Sequence, residues 1–378
     1  MPMGGNMFDR RQFMKIGAGA ALVAPTLYAT ARAQTVPVGY PSDYNAIIEA
    51  SRREQGLIVY SNMSDSQWKP LLTAFKAQYP WATVQTLDVN GSEAMERYLA
   101  ETSTGSRSAD LLMTVAPASW IDMIERKEIL EYTSPELAAF PDWSVPHPGL
   151  YTAALDPLVF FWNKVLLPKE LWPTSFADLV EKVKANPAVF NKKLTSYGAH
   201  LTSYGHDAHF FFAKHHGDKV WDWYKTVGPA TRFERAAGPM VEKVTTGEYV
   251  LGYFCGSAAA RMAAKDPARS QIVAMSYIND GTPMVFRGLG IPKKSNNVNQ
   301  AKLLLDFTLS EAGQKALSAG SRTPLRPSVT AEAVNGGETY SSITKAIGEK
   351  NAILVSYDPA LVNDSKAFVS RWREANGV

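Results

Sequence analysis

The chain has 378 residues, of which 46% are hydrophobic, 20% charged and 11% aromatic. That globular composition excludes a disordered or collagen-like protein. A formal net charge of +3 gives no reason to expect a nucleic-acid partner. The single cysteine, Cys255, excludes an internal disulfide and a cysteine-built zinc cluster.

The first segment reads as an export signal over residues 1–33. Arg10-Arg11 precede Gln12-Phe13, an apolar run rich in Ala and Gly extends from Ile16 to about Tyr28, and Ala31-Arg32-Ala33 offers small residues for cleavage. Paired arginines ahead of a weakly apolar core point to the twin-arginine route and a periplasmic address. The segment holds four basic side chains and one acidic one. Without them, 39 basic and 36 acidic side chains become 35 of each, so the exported chain is formally neutral. Neutrality gives no cause for a membrane-surface partner.

Beyond the signal the pattern alternates. Gly56–Tyr60 reads as a strand, Leu71, Leu72, Phe75 and Tyr79 have helical spacing, and Thr83–Leu87 alternates as a second strand. A helix follows with Met95, Tyr98 and Leu99 on one face, capped at Ser92 or its neighbour. Ala109–Met113 is a third strand and Trp120–Leu130 a third helix. This order predicts a mainly parallel sheet covered by helices. The stretch Thr133–Pro157, rich in proline and aromatics, reads as a crossover, and Leu158–Trp162 as a strand. Further helices are predicted near Ala208–His216, Asp218–Thr226, Gly238–Thr246 and Ser257–Lys265. Strands are predicted at Tyr249–Tyr253, Ile272–Tyr277 and Met284–Gly288. A helix pair spans Gln300–Ala319, stopped at Gly320.

Nucleotide and nucleophile motifs are missing. There is no G-x-x-x-x-G-K-[ST] loop and no G-x-S-x-G elbow, and Gly288-Leu289-Gly290 lacks the third glycine of a dinucleotide loop. Five of six histidines fall between His200 and His216, without the carboxylate partners a metal pair needs. What stands out is a set of polar turns after strands. These are Ser61-Asn62-Met63-Ser64, Asn90-Gly91-Ser92, Met113-Thr114, Ser203–Asp207 and Tyr253–Ser257. Helix starts at the carboxyl ends of parallel strands offer free N–H groups and a partial positive charge, which suit an anion.

The order and spacing of several short stretches then resemble the periplasmic substrate-binding proteins of ABC importers. The similar branch is the ferric-iron-binding-like one, which also holds sugar-phosphate and phosphonate binders. The stretches include Lys69-Pro70-Leu71-Leu72, Ala109-Asp110-Leu111, Pro173–Leu179, Gly247-Glu248-Tyr249, Gly290-Ile291-Pro292-Lys293, Leu305-Asp306-Phe307 and Pro324-Leu325-Arg326-Pro327. The resemblance implies an α/β, two-lobed periplasmic-binding-protein fold of type II, each lobe a mainly parallel sheet flanked by helices, joined by hinge strands. Lobe 1 is expected over 34–150 and 284–330, and lobe 2 over 151–283 and 331–378. It implies a monomeric carrier, without cofactor or catalysis, that hands a small-molecule ligand to an inner-membrane permease. The expected ligand is a small organic anion, held by Ser61, Asn62, Ser64, Ser92 and Thr114 from lobe 1. His206, Asp207, Tyr253, Gly256 and Ser257 are the contacts expected from lobe 2. The alternatives are ferric iron, for which the tyrosine pair of the iron members is represented by Tyr253-Phe254, and an exported enzyme with an unrecognised site.

Overall fold

The computed structural model describes residues 36–378; the export signal predicted over residues 1–33 lies outside them. Helix α1 (Tyr44–Ser51) leads into alternating β1 (Leu57–Ser61), α2 (Asp65–Gln78), β2 (Val84–Asp88), α3 (Gly91–Ser103), β3 (Leu111–Thr114) and α4 (Pro117–Glu125). The long β4 (Leu150–Asn163) follows. After it come α5 (Phe176–Ala185), α6 (Pro187–Phe190), β5 (Leu194–Tyr197), α7 (Ser203–His216), α8 (Lys219–Val227) and β6 (Thr231–Glu234). Then come α9 (Ala237–Thr246), β7 (Leu251–Gly256), α10 (Ser257–Lys265), β8 (Val273–Ser276) and β9 (Thr282–Gly290). The chain ends with α11 (Val298–Leu309), α12 (Glu311–Ala319), α13 (Tyr340–Ile347), β10 (Ala352–Val355), α14 (Ala360–Asn363) and α15 (Ser365–Asn376).

The strands run in the order β2-β1-β3-β9-β4-β7-β5-β6, with β10 on β9 and β8 on β4. Two parallel sets result: β2-β1-β3, and β7-β5-β6. Between them lie β9 and β4, antiparallel to each other and to their outer neighbours β3 and β7. The predicted strand Leu158–Trp162 is therefore only the second half of β4. Its first half, Leu150–Pro157, pairs with β9, and its second half with β7 and β8. Pro157, which has no N–H to give a ladder, sits at the changeover. All but one residue of β4 is buried, the exception being Asp156.

Two large cores follow from the two parallel sets. One packs Trp68, Leu71 and Phe75 of α2 against Leu303, Leu304 and Phe307 of α11. The other gathers Phe160, Phe161, Phe176, Phe212 and Trp372. Each fully buried side chain of this size stabilises by roughly 1.5–3 kcal/mol. A smaller cluster of Leu155, Met284, Phe286 and Ile343 lies where β4 and β9 run together. Helix α15 packs on α8. Gly320 ends α12 as expected, but at φ −81° it is not left-handed. Glycine is needed there because a Cβ would lie 2.2 Å from the Gln67 carbonyl oxygen on α2.

Several short elements escape the sequence pattern, among them α1, α6, β5, β6 and β10. Each strand among them has four residues, too few to display alternation. The third helix is α4 and stops at Glu125, five residues earlier than predicted, because Ile129 turns out to bridge to Pro292.

Candidate functional site

Six parallel strands end at one cavity of about 640 Å³. Asn62 follows β1, Asp88 ends β2 and Val115 follows β3. From the other set, Tyr197 ends β5, Arg235 follows β6 and Gly256 ends β7. The long strands supply the base, Asp156 from β4 and Arg287 from β9, joined by Arg322 and Thr323.

The base is an ion cluster. Asp156 accepts from Arg287 Nη2 at 2.5 Å and from Arg322 Nη1 at 3.1 Å. Burial alone raises the Asp156 carboxyl, yet the two guanidinium groups outweigh it and hold the pKa below its ordinary value. Arg287 also donates to Asn62 Oδ1 at 2.7 Å, and the same oxygen accepts from the Val115 N–H at 3.3 Å. Arg287 is 1% exposed and Arg322 5% exposed, and the Nε–H of each is buried without a partner. Two guanidinium groups against one carboxylate leave the base with an excess positive charge.

Helix starts add to it. Helix α9 begins after Ala236 and α10 after Gly256, and neither has a side-chain cap. Helix α7 is capped instead by Thr202, whose Oγ1 accepts from the Gly205 N–H at 3.1 Å. Gly205 lets this turn seat closely, since a Cβ there would lie 2.6 Å from the Gly198 carbonyl oxygen. The seating places Ser203 and Tyr204 in the cavity wall. The Tyr197 and Tyr204 hydroxyls both lie 3.9 Å from where a Gly256 Cβ would stand. Burial, then nearby negative charge, raises both phenols well above their ordinary pKa, so they act as neutral O–H groups.

Strand β7 is bulged where it meets the cavity. Val159 pairs with Cys255 and Phe161 with Gly252, so two residues of β7 face one of β4. Phe254 takes up the extra length in a left-handed conformation, φ +55°, and its ring stacks on Phe176. The bulge turns Gly256 and Ser257 toward the cavity. Ser257 Oγ donates to Glu338 at 3.0 Å, and Glu338 also pairs with Arg261 at 2.7 Å.

Of the residues expected from sequence, Asn62, Gly256 and Ser257 line the cavity. The other seven do not. Ser61 points the opposite way along the pleat and accepts from Trp68 Nε1 at 2.8 Å. Ser64 caps α2 in a reciprocal box with Gln67. Ser92 gives its N–H to Asn90, which is the actual cap of α3, and Asn90 lines the cavity in its place. Thr114 is fully buried with an unpartnered Oγ1. Tyr253 is in the core, its hydroxyl 3.2 Å from Thr231 Oγ1. His206 and Asp207 pair with each other at 2.9 Å on the inner turn of α7, and His206 stacks on Phe210. The tyrosine-pair position Tyr253-Phe254 is therefore packed in the core, and the phenols at the cavity are Tyr197 and Tyr204.

Sequence reading missed Asp156, Arg287 and Arg322, and with them Asp88 and Glu93. At this cavity the amide and hydroxyl donors stand beside two buried guanidinium groups. A signal existed: Asp156 and Arg287 each interrupt an otherwise apolar run, and a charge inside a buried strand requires a partner. Among the described residues, no three His, Cys, Asp or Glu side chains group to hold a metal ion. Nor is any helix there long and apolar enough to cross a membrane.

The two parallel sets, the paired long strands and the shared cavity are those of a periplasmic binding protein of type II. Residues 71–342 match the family described as bacterial extracellular solute-binding protein, and the chain belongs to that family. No curated protein matches it. Among solved structures, it is similar to the substrate binding protein of an ABC transporter from Agrobacterium tumefaciens. Identity there is 20%, with a TM-score of 0.76 over 86% of this chain and 95% of that one. It is also similar to AfuA from Actinobacillus pleuropneumoniae with fructose-6-phosphate bound, at 16% identity and a TM-score of 0.65 over 85% and 99%. Iron-bound HitA from Pseudomonas aeruginosa gives 16% identity and a TM-score of 0.66 over the same shares.

Proposed function

We propose that this chain is the solute-binding component of an ABC importer and that it captures a small organic anion, a carboxylate, phosphonate or phosphorylated compound. The observation that carries the reading is the pair of buried, unpartnered Nε–H groups of Arg287 and Arg322 at the base of the cavity. The uncapped starts of α9 and α10 act in the same direction. In this reading the lobes are 34–150 with 284–330, and 151–283 with 331–378, and they close on β4 and β9 as hinge strands. Closure buries the anion between both sets of helix starts, and the closed form docks on an inner-membrane permease. The protein works in the periplasm, exported by the twin-arginine route.

Ferric iron is the second reading, favoured by the oxygen donors Tyr197, Tyr204, Asp88 and Glu93 at one cavity. Against it stands the upward shift of both phenols, which opposes the phenolate that a hard Fe(III) ion needs. Calorimetry with succinate, propylphosphonate and glycerol 3-phosphate tests the choice, beside ferric citrate followed by visible absorbance. The anion reading expects binding by at least one organic acid and a loss of about tenfold or more in Arg322→Met. A tyrosinate absorption band with ferric citrate, and no binding of the acids, overturns it.

A further inference from the structure

Arg322, one of the two guanidinium groups at the base, sits in the loop after α12, and both of its chain neighbours are tied to α10. Helix α12 packs on α2 of one parallel set, whereas α10 follows β7 of the other. From α10, Arg261 reaches across with two nitrogens. Its Nη2 donates to the Ser321 carbonyl oxygen at 2.9 Å, and its Nη1 meets Glu338 Oε1 at 2.7 Å. The same Glu338 oxygen accepts from Thr323 Oγ1 at 2.7 Å and from Ser257 Oγ at the start of α10. Tyr277 completes the set by donating to Glu338 Oε2 at 2.9 Å. Glu338 is buried, so salt screens this pair little. Cation and anion cancel, so the pair adds no net charge to the base.

Ser321 shows what the pair does. Its φ is +64°, in the left-handed region, which a residue other than glycine holds only where its surroundings impose it. The Arg261 bond to its carbonyl oxygen is such an imposition, because a planar guanidinium keeps that oxygen and the Glu338 carboxylate in one fixed relation. The conformation of Ser321 sets the direction in which the next residue, Arg322, leaves the loop. Arg322 then meets Asp156 at 3.1 Å with its Nε–H unpartnered. We infer that Arg261 and Glu338 are positioning residues for ligand capture, holding Arg322 in its aim through the backbone of Ser321 and Thr323. Neither side chain lines the cavity. This rests on the anion reading above and extends its machinery to a pair that does not touch the ligand.

Succinate, propylphosphonate and glycerol 3-phosphate serve as probes, titrated by calorimetry into the chain without its export signal. Arg261→Lys keeps a cation beside Glu338 but cannot serve both acceptors in a fixed fork. It is expected to weaken the tightest-bound probe by about tenfold. Adding Ser321→Gly is expected to restore most of that loss, since glycine takes the left-handed conformation without being held there. Glu338→Gln keeps an oxygen for Ser257 and Thr323 and loses the charge that fixes Arg261. It is expected to weaken the same probe and to be rescued in the same way. A pair that only stabilises the fold would lower the urea midpoint of both variants and leave the affinity of the folded protein unchanged. That result, with Arg322→Met still weakening the probe, overturns the positioning role and leaves the anion reading standing. Lost affinity that Ser321→Gly does not restore also overturns the role, because the effect then bypasses Ser321. Binding that ignores Arg322→Met, or no binding of any probe up to about 10 mM, overturns both.

Discussion

Asp156 holds two arginines at once, and that sharing sets what a change there does. Removing Arg322 takes away one of the two charges that hold Asp156 ionised and leaves Arg287 in place, so Arg322→Met should cost roughly 1.5–3 kcal/mol of stability by urea denaturation. The same substitution is expected to weaken acid ligands, and intact stability with unchanged binding would contradict the assignment. Because the folded-state pKa of Asp156 is lowered, its contribution is present above the unfolded value near 3.9 and fades as pH falls below it. Asp306 runs the other way. It accepts from Tyr44 at 2.7 Å and Tyr132 at 2.6 Å, yet burial outweighs these donors and pushes its pKa up to about 6. The native state then binds more protons than the unfolded one between about pH 6 and 4, so this group adds stability on acidification. Relative to Asp306→Asn, the wild type should gain about 1 kcal/mol between pH 7 and 5. A stability difference that does not change with pH would show that Asp306 titrates normally.

At the scale of elements, helix starts rather than single serines make the site. Five polar turns are visible in the sequence, and four of them, all but Met113-Thr114, place residues at the cavity. Which atom each turn turns inward is set by pleat, cap and bulge, and these are not periodic properties. Ser61 and Asn62 are adjacent, and only the second faces the cavity. The cap of α3 reads from the sequence as Ser92 or its neighbour, but Asn90, two residues before Ser92, makes the bond. The Phe254 bulge has no sequence signature, since a bulky residue is the least expected occupant of a left-handed position. The close seating of α7 on the Gly198 loop gives a direct test. Gly205→Ala should force the first turn outward and shift Tyr204, weakening ligand binding several-fold while far-ultraviolet circular dichroism stays unchanged. Undiminished affinity would mean that Tyr204 takes no part in the site.

The whole molecule divides its sheet into two parallel sets that share β4 and β9. The alternation of strands and helices gave away the first set, because each of its strands is flanked by a long amphipathic helix. The bridging strands were harder to see, since residues buried on both faces read as continuous apolar chain without period. Sharing these strands ties the two cores together. Residues 36–378 should therefore unfold in one calorimetric transition, with equal calorimetric and van't Hoff enthalpies. Two resolved transitions would show that the cores melt separately. On ligand addition, small-angle scattering should record a smaller radius of gyration, the sign of closure; an unchanged radius would place binding without hinge motion.

The position of β9 between β3 and β4 also fixes an order of events during synthesis. Strands β1 to β3 emerge from the ribosome early, yet β3 has no inner neighbour until residues 282–290 have been made. The 167 residues between β3 and β9 must be made while that strand edge stays open, exposed to mispairing. A nascent chain of this topology needs shelter until translation is almost finished, and a route that moves proteins only after folding suits it better than one that threads them unfolded.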